Sequence, residues 1–258
     1  MLFRSTTIYE YFGNASAPAE TPGNITGTWD YNYKGVWHLG QSSGTLYDST
    51  ASANNGTASG TVTYLTSGKI GNGASVAAGT TIQLGAANSI LFGATYTISV
   101  WMKDPNIASS YWHQIFGNSF PNTQMNTSAY DGLRPLMGNS GYVDWGYGTG
   151  SIANNTWTMV TGTRDASRNI KYYINGSSAG TGADPGYVGY LGIQTTGNLT
   201  LGGYNANGVA MSYDQAEVSY SVRSADWIKT EYNNQSSPPR FTLTGQSACR
   251  IARPVLRE

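Results

Sequence analysis

The stretch that decides the fold is Gly35 to Gly60, GVWHLGQSSGTLYDSTASANNGTASG. It opens with Val36-Trp37-His38-Leu39, a short predicted strand, and continues as a loop dense in Gly, Ser, Thr, Asn and Asp. These loop residues favour turns, because Gly adopts left-handed conformations and Asn, Asp and Ser bond their own backbone. The residues before this stretch are predicted to form a lead-in, and those after it a succession of short strands.

The composition of the chain favours strands over helices. The 258 residues include 33 Gly and 19 Tyr. Charged residues are 11% of the chain, well below the ~25% of an average soluble protein. Neutral polar and aromatic residues suit strands and turns. The length admits one large β domain or two small ones, and all-β sandwiches often reach it as a single domain.

Charge and hydropathy exclude several classes of partner. Lys plus Arg and Asp plus Glu number 14 each, without a basic block in the main body, so we expect no nucleic-acid partner. No window approaches the ~20 apolar residues of a membrane helix, which predicts no membrane insertion. The single Cys249 allows no internal disulfide, so stability is expected from the core, with a bound ion as an open contribution.

The two ends of the chain differ from its middle. The start, MLFRSTTIYEYFG, lacks the apolar run of a signal peptide, although the composition is typical of secreted bacterial proteins. We therefore expect a piece of a longer secreted protein, located outside the cell or on its surface. The expected division is a lead-in strand and linker at 1–34, a sandwich domain at 35–240 and a tail at 241–258, either disordered or extraneous.

Alternation of residue types predicts most of the strands. The clearest strand is Thr95 to Lys103, in which Tyr96, Ile98, Val100 and Met102 face one way and Thr97, Ser99, Trp101 and Lys103 the other. Trp157 to Thr163 and Ile170 to Ile174 are predicted to form a hairpin, and Asn175-Gly176 is a tight-turn signal.

One helix is predicted near the end of the chain. Ser224 is the expected N-cap, Ala225 to Tyr232 the body, and Asn233-Asn234 the end. Short strands at regular spacing with one terminal helix predict an all-β fold, a two-sheet antiparallel sandwich.

Four motifs, in order, carry a family resemblance that covers residues 35–240. GVWHLG, GTLYDST, NNGT and GKIGNGASV together resemble the start of bacterial laminin-G-like domains of the concanavalin A-like lectin/glucanase superfamily. TYTISVWMKD resembles their central strand, and NTWTMVTGTRD followed by IKYYINGSSAG resembles their hairpin. EVSYSVRSADWIKTEYNNQSSP resembles their closing strand and helix. TTIYEYFGNASA resembles the tail of a domain of unknown function that often precedes such modules.

The resemblance implies a jelly roll whose first and closing strands lie close together, often with calcium near their ends. It also implies recognition of carbohydrate or of a protein surface, usually without catalysis. Enzymes with this fold exist, so the fold alone does not decide the function.

A structural calcium ion is the predicted cofactor. Calcium takes about six to eight hard oxygen ligands, which Asp48, Asn54 and Asn55 of the loop and Glu217 of the closing strand are candidates to supply. The family usually has Asp-Glu on that strand, whereas this chain has Ala216-Glu217. The alternative is that Asp48 and the two Asn cap turns through neighbouring backbone N–H groups, and both interpretations stay open here.

A glycan site is predicted in and beside the irregular region 117–155. Aromatic rings stack on sugar rings while amides, carboxylates or guanidinium groups hold the hydroxyls. The candidate residues are Tyr111, Trp112, Tyr130, Asp131, Arg134, Tyr142, Asp144, Trp145 and Tyr147. The alternative for an aromatic residue is core packing, to which we assign Trp37, Trp101, Trp157 and Trp227.

Catalysis as a glycoside hydrolase requires two carboxyl groups, ~5–5.5 Å apart for retention or ~6.5–9.5 Å for inversion. Glucanases of this fold usually carry them as Glu-x-Asp-x-Glu on one strand, and no such run occurs here. Asp214 and Glu217 form the one close acidic pair near a predicted strand, but a spacing of three places them on opposite faces of a regular strand. Asp131 and Asp144 are further candidates to converge with Glu217.

The two histidines, His38 and His113, have no metal-binding or nucleophile motif beside them and are predicted to be structural. The sequence as a whole predicts a non-catalytic carbohydrate-binding or adhesion module whose partner is a polysaccharide or surface glycan. A glycoside hydrolase or polysaccharide lyase on the same fold is the alternative, and a structural spacer is the second.

Overall fold

The computed structural model describes residues 27–91, 94–107, 113–118, 123–128, 132–137, 152–183, 198–203 and 210–237. These residues form fourteen strands and one helix. The strands are β1 (Tyr33–Trp37), β2 (Gly56–Ser59), β3 (Val62–Ser67), β4 (Asn72–Val76), β5 (Thr81–Leu84), β6 (Tyr96–Lys103), β7 (His113–Asn118), β8 (Thr123–Ser128), β9 (Gly132–Met137), β10 (Thr158–Arg164), β11 (Asn169–Ile174), β12 (Ser177–Ala183), β13 (Leu199–Gly202) and β14 (Met211–Ser219). The helix is α1 (Ala225–Ser236).

The strands build two antiparallel sheets that pack face to face. Sheet A has the order β12-β11-β10-β6-β14-β4-β3, with β1 also paired to β14. Sheet B has the order β2-β5-β13-β7-β8-β9. One hydrophobic cluster fills the space between the inner faces and draws on both sheets. The predicted all-β, two-sheet sandwich is therefore confirmed.

The first and last strands of the sandwich pair with each other, as the resemblance implied. Val36 of β1 lies opposite Glu217 of β14, and Trp37 lies opposite Ala216. Strand β1 begins at Tyr33, before the residues from which the sequence predicted it. We call the β1–β14 pair the seam.

Strand β6 shows the predicted alternation, and its outer face carries a second layer. Tyr96, Ile98, Val100 and Met102 lie in the core between the sheets. Trp101 is buried as well, but on the outer face of sheet A, where its ring stacks on Tyr232 of α1 with 5.6 Å between centroids. The helix therefore covers part of the outer face of sheet A.

The assignment of four tryptophans to the core is right for two of them, Trp37 and Trp101, which are both buried. Trp37 lies in the core cluster. Trp101 lies beneath the helix, and Trp157 is half-buried with the Lys103 ammonium 5.3 Å from its ring centroid. Trp227 is 48% exposed. The assignment is wrong for Trp157 and Trp227, because the first is half-buried and the second lies on the solvent-facing part of the helix.

A bulge in β14 decides which of its residues face the helix. Asp214 lies opposite Trp101 and Glu217 opposite Ser99, so β14 has one more residue than β6 between these pairs. Gln215 in the bulge has a φ of 49°, a left-handed conformation that costs a non-glycine residue about 1–2 kcal/mol. Because Trp101 and Ser99 share the outer face, both acids share it too. The expectation that they face opposite sides is therefore wrong.

The hairpin and helix signals are confirmed in type, although the helix is longer than predicted. Strands β10 and β11 pair as a hairpin, and Asn175 and Gly176 both have positive φ in the turn after β11. The Ser224 side chain caps α1 by accepting a hydrogen bond from the Trp227 N–H at 3.1 Å. The helix continues past Asn233-Asn234 to Ser236, because contacts with sheet A outweigh a weak stop signal.

Among the described residues, no helix has the length and apolar character that crossing a membrane requires.

Candidate functional site

An open pocket of about 460 Å³ lies where α1 meets the seam. This volume falls in the range of ~300–1,000 Å³ that is usual for small-ligand sites. We call it the seam pocket. Its lining residues come from the segment before β1, from β1, from β14, and from α1 and its N-cap: Trp29, Tyr33, Glu217, Ser224, Asp226, Trp227, Thr230, Glu231, Asn234 and Gln235.

Three aromatic rings form one wall of the seam pocket. Trp29 meets Tyr33 edge to face, with 4.9 Å between ring centroids. The Arg223 guanidinium lies 4.5 Å from the Tyr33 ring centroid and 4.7 Å from that of Trp227. Arg223 also donates to Asp30 at 3.0 Å. These contacts hold the rings in place and leave about half of the Trp227 side chain open to solvent.

Two carboxyl groups lie together in the pocket. Glu217 on β14 is 5% exposed, and Glu231 on α1 lies beside it in the same pocket lining. Burial raises the pKa of Glu217 well above its usual range, and the neighbouring Glu231 raises it further. Burial also raises the pKa of Glu231. The pair therefore keeps a shared proton above the pH at which an isolated glutamate ionises.

The orientation of Gln235 explains how this pair is held. The Trp101 indole N–H, which can only donate, donates to Oε1 of Gln235 at 2.5 Å. The amide nitrogen of Gln235 therefore points the other way and donates to Glu217 at 3.3 Å and to Glu231 at 3.4 Å. The last turn of α1 thus connects sheet A to both acids.

Sequence reasoning named Glu217 but missed the residues around it. Trp227, Glu231 and Gln235 are spaced four apart on the helix, so their common face could have been found. The position of this helix face over Glu217 could not have been found from the sequence, because it depends on the bulge in β14 and on the full length of α1. Trp29 lies in the predicted linker and gave no signal.

Asp48 caps the loop after β1. Its Oδ1 accepts hydrogen bonds from the backbone N–H groups of Val36 and Thr50, both at 2.9 Å. Its Oδ2 accepts from the Asn54 N–H at 2.8 Å and from the Thr50 hydroxyl at 2.9 Å. The Asn55 side chain in turn accepts from the Asp48 N–H at 3.0 Å. Four donors thus occupy the ~4 lone-pair sites of the carboxylate.

This arrangement fits turn capping better than a calcium shell. The Asn54 amide nitrogen donates to the Lys34 carbonyl at 2.6 Å, while Glu217 contacts Gln235 and Glu231 in the seam pocket. In the ranges that the structure describes, no group of three or more His, Cys, Asp and Glu residues is placed to hold a metal ion. Calcium stays a prediction, without support from the contacts of its four candidate ligands.

Asp214 holds a loop to the closing strand. It is fully buried, and its Oδ2 accepts from the Ile70 N–H at 2.7 Å. Its Oδ1 accepts from the Gln215 side chain at 3.0 Å. Burial raises the pKa of Asp214, against the opposing effect of these hydrogen bonds. A Cβ on Gly68 would lie 2.6 Å from the carboxylate, so the β3–β4 loop closes over this acid.

Both histidines make hydrogen bonds within the fold, in line with the structural interpretation. His113 is buried and its Nδ1 contacts Oδ2 of the buried Asp104. His38 is exposed, and its Nδ1 lies 2.5 Å from Oε1 of Gln215.

Most of the predicted glycan-binding residues lie outside the described residues. They are Tyr111, Trp112, Tyr130, Asp131, Tyr142, Asp144, Trp145 and Tyr147. Arg134 lies on β9 of sheet B, opposite Asn126 of β8. This candidate site, and the two acids in it that the hydrolase alternative uses, stay predictions.

Comparison with known families supports the observed fold. The laminin G family model described as "Concanavalin A-like lectin/glucanases superfamily" matches residues 76–229, more than half of the chain. None of the curated proteins matches the sequence.

Solved structures share the fold at low identity. Domain 4 of AbnA, a GH43 extracellular arabinanase from Geobacillus stearothermophilus, in complex with arabinotriose, is 20% identical with a TM-score of 0.59, over 77% of this chain and 97% of that one. The binding domain of botulinum neurotoxin DC, in complex with rat synaptotagmin II, is 14% identical with a TM-score of 0.60, over 79% of this chain and 52% of that one. The binding domain of paraclostridial mosquitocidal protein 1 is 14% identical with a TM-score of 0.57, over 79% of this chain and 52% of that one. This chain spans about half the length of the two toxin domains.

Proposed function

Because this chain belongs to the concanavalin A-like lectin/glucanases superfamily, we propose that it is a non-catalytic carbohydrate-binding module and that the seam pocket binds the sugar. The observation that carries this proposal is the joint lining of the pocket by aromatic rings and by carboxyl, amide and hydroxyl groups. A sugar has apolar C–H faces that stack on aromatic rings and hydroxyls that bond to such polar groups. The partner is then a polysaccharide or surface glycan, and an extracellular location is the corresponding expectation.

The pocket has the parts that one or two sugar rings need. The half-exposed Trp227 offers a ring for stacking. Thr230 and Asn234 are exposed on the helix and line the same pocket, so they can bond to hydroxyls. The Glu217–Glu231 pair, with its shared proton, offers both a donor and acceptors. The structure of the AbnA domain with arabinotriose supports a sugar ligand for a module of this fold.

The absence of catalysis in this proposal rests on how the acids are placed. The Gln235 amide nitrogen donates to both Glu217 and Glu231, so both carboxyl groups are engaged in contacts within the fold. Asp214 shares their face of sheet A but accepts hydrogen bonds from Ile70 and Gln215. A glycoside hydrolase or lyase remains the alternative, to be decided by an assay for released reducing ends.

A glycan array, run with and without EDTA and followed by calorimetry on each hit, tests the proposal. We expect Trp227→Ala to weaken binding at least about tenfold, because the variant removes the half-exposed ring on which the C–H face of a sugar would stack. Tyr47→Ala is the matched control, since Tyr47 is 60% exposed and lies outside the pocket lining.

Three results would change the proposal. If no glycan binds, the binding function is wrong and a spacer role gains support. If binding survives Trp227→Ala, the sugar binds elsewhere, with the predicted group between Tyr111 and Tyr147 the next to test. Release of reducing ends from any hit would show that the module is an enzyme.

A further inference from the structure

We infer that the seam pocket selects a cationic sugar, a glycan unit with a free amino group, over neutral and anionic glycans. The inference rests on the proposed function, because it names the ligand class of the same site. The juxtaposition that carries it is one pocket lined by aromatic rings together with three carboxyl groups, those of Glu217, Asp226 and Glu231, with no lysine or arginine among the lining residues.

The cations near the pocket are already engaged. Arg223 forms an ion pair with Asp30 at 3.0 Å and lies over the rings of Tyr33 and Trp227. Lys229 of α1 has its ammonium 5.2 Å from the Tyr232 ring centroid. The pocket therefore has an excess of negative charge, which attracts cations and repels carboxylated or sulfated sugars.

The aromatic wall favours the same ligand. A cation close to an aromatic face gains about 0.5–1 kcal/mol at exposed sites and ~2 kcal/mol or more where water is excluded. An amino sugar brings a C–H face for Trp227 and an ammonium for the carboxyl groups on the same small ring, so it can contact both kinds of group at once. A neutral sugar gains the stacking alone.

The Glu217–Glu231 pair predicts a measurable change on binding, the release of a proton. The amide nitrogen of Gln235 holds both carboxyl groups, so an ammonium that donates to both takes the place of their shared proton. That proton passes to the solvent, and the pair becomes two carboxylates facing one cation. Burial raises the pKa of both acids, so proton release on binding is the signature expected at a pH below those raised pKa values. Two other charged groups lie near the pair. Arg223 lines a small adjoining cavity with both acids and opposes the rise in their pKa, and Asp226 lines the seam pocket itself.

Calorimetry with two matched oligosaccharides tests the inference. The first is a β-1,4-linked oligomer of glucosamine, and the second is its N-acetylated counterpart of equal length. We expect at least about tenfold tighter binding of the amino oligomer, with an advantage that falls as salt is added. Repeating the titration in buffers of different ionisation enthalpy should show release of up to about one proton per ligand.

Two variants separate charge from shape. Glu231→Gln and Glu217→Gln keep the size of the side chain and remove one of the two carboxyl groups, so each should bring the two affinities to within about twofold and reduce the proton release. Asp165→Asn removes a carboxylate from the exposed β10–β11 turn, away from the pocket, and should keep the preference. Thermal melts of each variant confirm that it is folded.

The outcomes distinguish this inference from the proposed function. Equal affinity for the two oligomers, or tighter binding of an anionic glycan, with Trp227-dependent binding retained, overturns the cationic preference and leaves the binding function standing. No binding of any glycan overturns the function itself. Binding of a lysine-rich peptide, without binding of either oligomer, overturns both.

Discussion

At the scale of single residues, Asp48 shows why one signal supported two interpretations. A loop rich in Asp, Asn and Thr predicts oxygen atoms close together, and both a calcium site and a capped turn need those. A capped turn differs from a calcium site in that N–H and O–H groups of the protein donate to the carboxylate oxygens. Whether they can do so depends on how the loop folds back on β1. In the structure, Val36, Thr50 and Asn54 do so.

Asp48→Ala should therefore destabilise the protein. The change leaves three backbone N–H groups and one hydroxyl without their acceptor, and a lost hydrogen bond to a charged group costs about 1.5–3 kcal/mol. Allowing for solvent access to the loop, we expect a loss of about 2–4 kcal/mol in the free energy of unfolding. Urea denaturation measures it, with Tyr47→Ala in the same loop as a control expected to change little. A loss no larger than the control's would show that the capping bonds contribute nothing.

At the scale of elements, the helix shows how far local signals reach. Ser224 predicted its start, because a cap depends on a few neighbouring residues. Its end was missed, because Tyr232 and Gln235 contact Trp101 on a distant strand. The last turn of α1, which the sequence did not predict, contributes Gln235 to the pocket. In the same way, alternation predicted which β6 residues face inward, whereas the bulge at Gln215 reversed the prediction for Glu217.

The Glu217–Glu231 pair should make the docking of α1 depend on pH. A carboxyl whose pKa is raised by folding adds stability below the pKa of the unfolded chain, ~4.3. That stability is lost as the pH rises through the higher pKa of the folded state. Asp30 and Asp165, whose pKa values are lowered by hydrogen bonds in the folded state, act in the opposite direction but are solvent-exposed.

Glu217→Gln isolates this effect. The variant should equal the wild type near pH 4, where the pair is protonated, and be more stable than the wild type near pH 8, because a glutamine has no buried charge to form as the pH rises. Denaturant unfolding at several pH values measures the difference. Asp226→Asn, which removes an acid from the first turn of α1, should instead destabilise slightly at neutral pH. A difference between Glu217→Gln and wild type that stays constant with pH would contradict the shared proton.

At the scale of the whole molecule, the sandwich was predictable and its ligand was not. The alternation in β6, the hairpin at Asn175-Gly176 and the order of four motifs together specify two sheets closed by a β1–β14 seam. The seam pocket, by contrast, assembles residues far apart in sequence, from Trp29 to Gln235. Sequence patterns report which face a residue occupies, and they do not report what stands opposite that face.

Thermal melts with calcium or with EDTA test whether the fold is stable without a bound ion. A ligand at about 100 times its Kd stabilises a protein by ~2.7 kcal/mol. For a domain of this size that raises Tm by roughly 5–10 °C, since 1 kcal/mol corresponds to ~2–4 °C. We expect millimolar calcium or EDTA to leave Tm unchanged, because the Asp48 oxygens already accept four hydrogen bonds and one continuous core joins the sheets. If calcium raises Tm and Asp48→Asn removes the effect, the loop rearranges to bind the ion. If the effect survives that substitution, the ion binds outside the loop, and the capping geometry of Asp48 stands.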